Sequence, residues 1–240
     1  MSSNVTYELA PVVDGANGPV ATITMNDGKA NALGFVMFAA LNEALDQAEA
    51  DAAAVVLAGR PGLFSAGFDL SVVSGRGPET ARLMGQGFEL SYRMLSYSRP
   101  VVIACTGHAF AMASFVLLSG DYRVGPADDR FKITANEVSI GLTMPRSAIE
   151  ICRQRLTPNH FDRVVMLAEI FKPVLAVEAG FLDEVVAEAN VVSTAQTKAA
   201  DLMKLHPGAH AATKARVRAS ALAALRTAII DDDNEMRSWL

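Results

Sequence analysis

The chain opens with two short apolar stretches around a turn. Thr6 to Val13 alternates loosely between polar and apolar positions and predicts a strand. Asp14 to Gly18 is turn chemistry, because Asn and Gly tolerate positive φ. Val20 to Met25 then predicts the returning strand of a hairpin, ended by Asn26-Asp27-Gly28. From Phe35 to Ala50 the period lengthens: Met37, Leu41 and Leu45 share one helical face, while Glu43, Asp46 and Gln47 lie elsewhere. Ala54 to Ala58 predicts a short buried strand, closed by Gly59-Arg60-Pro61-Gly62. Leu63 to Leu70 reads as a loop entering a short helix, and Ser74 to Pro78 as a flexible connection. Glu79 to Ser96 predicts a helix with Leu83, Leu90 and Met94 along one side.

Pro100 to Gly120 carries no Asp, Glu, Lys or Arg and is long enough to span a bilayer. Thr106-Gly107-His108 interrupts it, so it reads better as a buried strand (Val101 to Cys105), a turn and a buried helix (Ala109 to Leu118); no membrane partner is expected. Asp121 to Val124 and Arg130 to Thr134 predict short strands. Pro145 to Arg155 and Pro158 to Ala168 predict helices, the second capped by Thr157 with Pro158 in its first turn. Strands alternating with helices predict an α/β fold with right-handed crossovers. Beyond Asn190 the pattern is helical only: Val191 to Leu205, a break at His206-Pro207-Gly208, then Ala209 to Ile230. The expected division is an α/β body over residues 1–188 and a helical region over 189–240.

Composition narrows the class. The chain has 240 residues, 51% of them hydrophobic and 20% charged. A chain of this size buries roughly 70–75% of its unfolded surface and needs no disulfide or metal to hold a core. The net charge of −5 excludes a chain that is basic overall, so nucleic acid is not an expected partner. Cys105 and Cys152 form no CxxC, and a reducing, cytoplasmic setting is expected. Met1 to Ala10 lacks the charge and apolar segment of a signal peptide.

Several chemistries lack their motifs. There is no G-x-S-x-G elbow, no S-x-x-K and no Walker A loop. Gly85-Gln86-Gly87 falls inside a helix, and Gly75-Arg76-Gly77 follows no strand. His206 and His210 have metal-ligand spacing, but Pro207-Gly208 breaks the helix between them and no third ligand is near; no metal site is expected.

Two loops remain. Leu63-Phe64-Ser65-Ala66-Gly67-Phe68-Asp69-Leu70 follows a buried strand, where ligands bind in α/β folds. Its small residues admit a ligand to the main chain, and N–H groups near a helix start suit an anion; the alternative is an ordinary turn with Asp69 capping the helix. Thr106 to Ala113 has the same setting. Together the two loops can present converging N–H groups, the recipe for an oxyanion hole.

At this point the residues resemble a family. Phe64-Ser65-Ala66-Gly67-Phe68-Asp69-Leu70 is similar to the FSAGxDL signature of the crotonase superfamily, the enoyl-CoA hydratases and isomerases. Lys29-Ala30-Asn31-Ala32-Leu33 resembles its K-x-N-A-L segment, and Gly107 to Ala113 stands where the family has its second loop. Asp121-Tyr122-Arg123, Asn136 to Leu142 and Ala179 to Val186 also fit, in order, over about residues 7 to 230. The resemblance implies a crotonase-like spiral of ββα turns with a C-terminal helical trimerisation region, and assembly as homotrimers or hexamers. It implies acyl-CoA substrates of fatty acid metabolism, with no cofactor beyond the substrate's own coenzyme A. It implies oxyanion donors at the main-chain N–H groups of Ala66 and Met112, worth about 3–4 kcal/mol each. The substrate-contacting positions it implies are Lys29, Ala30, Ala32, Ser65, Gly67, Phe68, Asp69, Leu70, Phe115 and Asn136. Lys214, Arg216 and Arg218 either reach the CoA phosphates or form a solvated face.

The chain departs from the pattern in two places. The second loop carries Ala111, Met112 and Ala113 where consecutive glycines are usual, and Phe115 stands where hydratases have their first glutamate. Only Glu137 remains of the two carboxylates. One base suffices to move a proton from C2 to C4 of a 3-enoyl thioester, so Glu137 is the expected catalytic residue of an isomerase, with Phe115 keeping the site dry. Hydration is the alternative reaction, and a non-catalytic acyl-CoA binder the alternative class.

Overall fold

The computed structural model describes residues 4–75 and 77–237; Arg76, in the expected flexible connection, lies outside them. The elements in chain order are β1 (Val5–Ala10), β2 (Val20–Met25), α1 (Phe35–Ala50), β3 (Ala54–Ala58), β4 (Gly62–Ser65), α2 (Leu70–Val73), α3 (Pro78–Ser96), β5 (Val101–Ala104), β6 (Gly107–Phe110), α4 (Met112–Leu118), β7 (Tyr122–Pro126), β8 (Ile133–Thr134), α5 (Arg146–Arg153), α6 (Pro158–Val165), α7 (Pro173–Ala179), β9 (Glu184–Val186), α8 (Val191–Leu202) and α9 (Pro207–Arg237). Single 3-10 turns occupy Val138–Ile140 and Glu188–Asn190.

Six strands form one sheet in the order β1-β2-β3-β5-β7-β9, parallel except for the β1–β2 hairpin. A second, parallel sheet has the order β4-β6-β8. Each turn of chain gives one strand to each sheet and then a helix: β3-β4-α2/α3, β5-β6-α4, β7-β8-α5. This is the expected crotonase-like spiral of ββα turns, followed by the expected C-terminal helices.

The continuous apolar run Ala54–Ala58 follows from burial on both faces. Val55, Leu57, Val101 and Ile103 enter the main core, shared with α1, α3, α4 and α5. The alternate residues Ala54, Val56, Ala58, Val102 and Ala104 pack against Val191, Ala195 and Ala199 of α8. The helical C-terminal region is therefore fused to the body: α8 backs the large sheet, and α9 runs along α3 and α5.

Four expectations are corrected. The helix expected from Ala109 begins at Met112, because Gly107–Phe110 is the middle strand of the small sheet. The loop expected from Leu63 is strand as far as Ser65, and the strand expected over Arg130 to Thr134 shrinks to Ile133–Thr134. Thr157 does stand before α6, but its hydroxyl bonds the His160 ring and the Glu178 carbonyl rather than capping a main-chain N–H. No helix of the described residues is long and apolar enough to cross a membrane.

Candidate active site

The three strands of the small sheet each release a segment at their carboxyl ends: Ala66 to Asp69 after β4, Ala111 and Met112 after β6, Ala135 to Glu137 after β8. Pairing sets these segments side by side. Ser65 lies opposite Ala109, Phe110 opposite Thr134, and the Ala111 N–H donates to the Thr134 carbonyl at 2.9 Å. The carboxyl edge of a parallel sheet is where open α/β folds take ligands.

The first segment is pinned by Asn31, which is buried at φ +48°. Its amide donates to the carbonyls of Met25 and Phe64 at 2.9 and 3.1 Å. Ser65, expected to touch substrate, is fully buried; its hydroxyl donates to the Asn31 carbonyl and accepts the Gly67 N–H. Lys29 to Leu33 runs alongside the loop as a short parallel pairing. The Ala66 N–H donates to Ala30 O at 3.0 Å, the Leu33 N–H to Gly67 O at 2.8 Å, and the Asp69 N–H to Leu33 O at 3.3 Å. This overturns the expected donor at Ala66, whose N–H is already engaged. Of this loop's N–H groups, the one left without an acceptor among the described residues is that of Phe68.

On the second segment, Ala111 turns the chain at φ +50°, and Met112 is the first residue of α4. An N–H at that position has no partner within its own helix, and none elsewhere is found among the described residues. Gly67 brings the two free N–H groups together. It has φ +93°, and a Cβ there would sit 2.7 Å from the Phe110 carbonyl oxygen and 3.3 Å from the Met112 nitrogen. Only glycine lets the first loop approach the second this closely.

Glu137 follows β8 with its side chain 6% exposed. Its Oε2 and the neighbouring Asn136 Oδ1 are buried without a hydrogen-bond partner among the described residues. Burial pushes the Glu137 carboxyl up to about 7, with its own main-chain N–H opposing the shift. Cys152 on α5 feels this carboxylate: burial first, then the Glu137 charge, raise its thiol. Three residues after Met112, Phe115 is 1% exposed. Its ring lies 6.3 Å from Phe88, which lies 6.3 Å from Phe68, which lies 6.2 Å from Phe38. The site is thus bounded by aromatic rings, and a lone high-pKa carboxyl in dry surroundings can pass a proton in either direction near neutral pH.

The rim holds the remaining expected contacts. Lys29 and Ala66 are exposed, Ala30 and Ala32 half-buried. Asp69 caps α2, accepting the Ser71 N–H at 2.9 Å, and Leu70 is exposed. Arg60 was treated in the sequence only as part of a strand-ending turn, yet its Nε donates to the Lys29 carbonyl at 2.9 Å and adds a second cation to this rim. Lys214 and Arg218 are neither a solvated face nor free for phosphates. They hold Asp121 at 2.7 and 2.9 Å and bond the carbonyls of Arg99 and Leu95, docking α9. Arg216 is exposed. His206 caps α9 by accepting the Ala209 N–H, and no group of three or more His, Cys, Asp or Glu side chains able to hold a metal occurs among the described residues.

Comparison with known proteins identifies the family and the fold. A family model described as enoyl-CoA hydratase/isomerase matches residues 15–238. A Mycobacterium tuberculosis protein, named an enoyl-CoA isomerase in one solved structure and a probable enoyl-CoA hydratase in another, is 43% identical in the first, with a TM-score of 0.91 over 98% of this chain and 100% of that one. An enoyl-CoA hydratase structure from Mycobacterium marinum is 44% identical, with a TM-score of 0.90 over 98% of this chain and 100% of that one. The human mitochondrial enoyl-CoA delta isomerase 1 is 29% identical over 216 residues, covering 88% of this chain and 72% of that protein.

Proposed function

The chain belongs to the enoyl-CoA hydratase/isomerase family, and from that premise we propose that it shifts the double bond of a 3-enoyl-CoA into conjugation. The observation that carries this reading is the buried carboxyl of Glu137 at the carboxyl edge of the small sheet, pushed up to about 7, with Phe115 in place of a second carboxylate. Ionised Glu137 takes a proton from C2. The electron pair moves onto the thioester oxygen, where the N–H groups of Phe68 and Met112 receive it as an oxyanion. The oxyanion pair then re-forms the carbonyl, the C1–C2 π pair of the enolate becomes the C2–C3 double bond, and the C3–C4 π pair takes the same proton at C4. The carboxylate is regenerated, no water is consumed, and no group beyond the substrate's own coenzyme A takes part.

Coenzyme A would lie along the exposed rim of Lys29, Arg60 and Ala66, because the thioester must reach the Phe68 and Met112 N–H groups from solvent. Hydration is the second reading, motivated by the hydratase name carried by the Mycobacterium marinum relative. It needs a water held for attack at C3, and a lone carboxyl among aromatic rings holds one poorly. The exposed apolar side chains of Met166, Leu167, Ile170 and Val174 support self-association as a homotrimer or hexamer, which light scattering on the purified protein tests.

Product analysis distinguishes the reactions. The protein is mixed with a 3-enoyl-CoA and, separately, with a trans-2-enoyl-CoA, and products are identified by chromatography and mass. Conversion of the first to the 2-enoyl ester with little hydration of the second is the expected result. Efficient water addition to the second overturns the isomerase reading.

A further inference from the structure

A cleft of about 140 Å³ opens between α1 and α3, lined by Phe35, Phe38, Ala39, Asn42, Gln86 and Glu89. Its floor is apolar and its rim polar. Phe38 is 1% exposed and forms the wall between this cleft and the aromatic rings of the site. On the inner side of that wall the Phe38 ring meets the ring of Phe68 edge-on at 6.2 Å. Phe68 is also the residue whose main-chain N–H is free.

The space beyond Phe68 is closed in the other direction. A Cβ at Gly87 of α3 would sit 2.8 Å from the Phe68 ring and 3.1 Å from the Met112 side chain. Phe88 and Phe115 are both buried, with ring centroids 6.3 Å apart. An acyl chain whose thioester oxygen sits between the two N–H groups therefore has the linked rings of Phe68, Phe88, Phe115 and Phe38 as neighbours. A longer chain needs one ring to swing aside, and Phe38 is the ring with space behind it.

We propose that Phe38 is a gate and that the α1–α3 cleft receives the tail of long, unbranched acyl groups. The proposal rests on the acyl-CoA reading of the site and names its substrate class: chains longer than the enclosed pocket. Apolar tail atoms would exchange water for Phe38, Ala39 and the side of the Phe35 ring that Arg82 does not cover, so each buried methylene adds to binding.

The test plugs the cleft from either wall, with Ala39→Trp on α1 and Gln86→Trp on α3. The quantity read is the ratio of kcat/KM for a 3-dodecenoyl-CoA to that for a 3-hexenoyl-CoA. The ratio is expected to fall at least tenfold in whichever plugged variant folds. A ratio within twofold of the unmodified protein's overturns the proposal. If no 3-enoyl ester reacts, the isomerase reading has failed on its own, and the gate is read from binding. Calorimetry then compares dodecanoyl-CoA with hexanoyl-CoA, both unreactive. A tenfold loss confined to the longer ester in the plugged variants supports the gate, whereas an equal effect on both esters, or none, overturns it.

Discussion

The main-chain N–H of Ala66 ends on the carbonyl oxygen of Ala30, 3.0 Å away, and this bond moves the free donor of the loop to Phe68. The parallel pairing of Lys29 to Leu33 with the loop engages residues 66 and 69, and Ser65 Oγ takes the Gly67 N–H. Binding a non-reactive acyl-CoA, or an enolising one such as acetoacetyl-CoA, is therefore expected to move the amide-proton resonances of Phe68 and Met112 strongly downfield. The Ala66 resonance should stay nearly still. A large Ala66 shift with a static Phe68 would reverse the assignment.

Ala111 holds φ +50° at a turn where a side chain is strained. Strain of this kind costs about 1–3 kcal/mol, and glycine gives back about 0.4–1 kcal/mol through its freer unfolded chain. Ala111→Gly is expected to stabilise the protein by about 1 kcal/mol. In a chain of this length that is a rise of about 2–4 °C in Tm. Calorimetry checks it; an unchanged or lower Tm would show that packing around the Ala111 methyl outweighs the backbone strain.

The large sheet was legible in the sequence because Ala54–Ala58 and Val101–Ala104 are unbroken apolar runs, which burial on both faces requires. The small sheet was not. Gly107–Phe110 is four residues long and its pairing partners are about 25 to 45 residues away, so no local signal marks it as strand. The same non-locality hid the free donor: which N–H stays unpaired depends on how Ala30 and Leu33 register against the loop, and motif spacing does not encode that. Glu137 was legible by its place in a motif, but its raised pKa comes from burial by residues distant in sequence. The cations Lys214 and Arg218 misled for the opposite reason. A helical basic stretch looks solvated until Asp121, far away in sequence, is placed against it.

Asp232 of α9 caps the start of α5. Its carboxylate accepts the Arg146 N–H at 3.0 Å, the Ser147 N–H at 2.8 Å and the Ser147 hydroxyl at 2.7 Å, and it is 5% exposed. The N-terminus of α5 offers no capping side chain of its own, since Pro145 precedes it. Asp232→Ala leaves buried donors without partners, a loss of about 2–4 kcal/mol. Denaturant unfolding should show this loss, and the acid limb of the pH–rate profile should keep its position because Asp232 bonds Arg146 and Ser147 and makes no contact with Glu137. A loss below about 0.5 kcal/mol would mean that water replaces the carboxylate without penalty.

In the proposed mechanism, Glu137 links activity and stability through one buried proton. Its carboxyl is raised from the usual 4.5 to about 7 because burial disfavours the charge. Between those two values the folded protein keeps a proton that the unfolded chain has released, so stability falls as pH rises through this window and stays lower above it. A displacement of this size is worth about 3 kcal/mol. Glu137→Gln removes the buried charge. The variant is expected to be more stable than the unmodified protein at pH 8, by up to that amount, with the difference closing towards pH 4.5. The same substitution removes the base and should lower kcat by about 10²–10⁴-fold. In the unmodified protein kcat/KM should fall tenfold per pH unit below about pH 7 as the carboxyl takes up its proton, because only the ionised form accepts the C2 hydrogen. Melting temperatures and rates over pH 4.5 to 9 for both proteins test the two halves together. A stability difference that does not change with pH would show that Glu137 is not the buried proton holder, and an acid limb near 4.5 would show that the base is solvated during turnover.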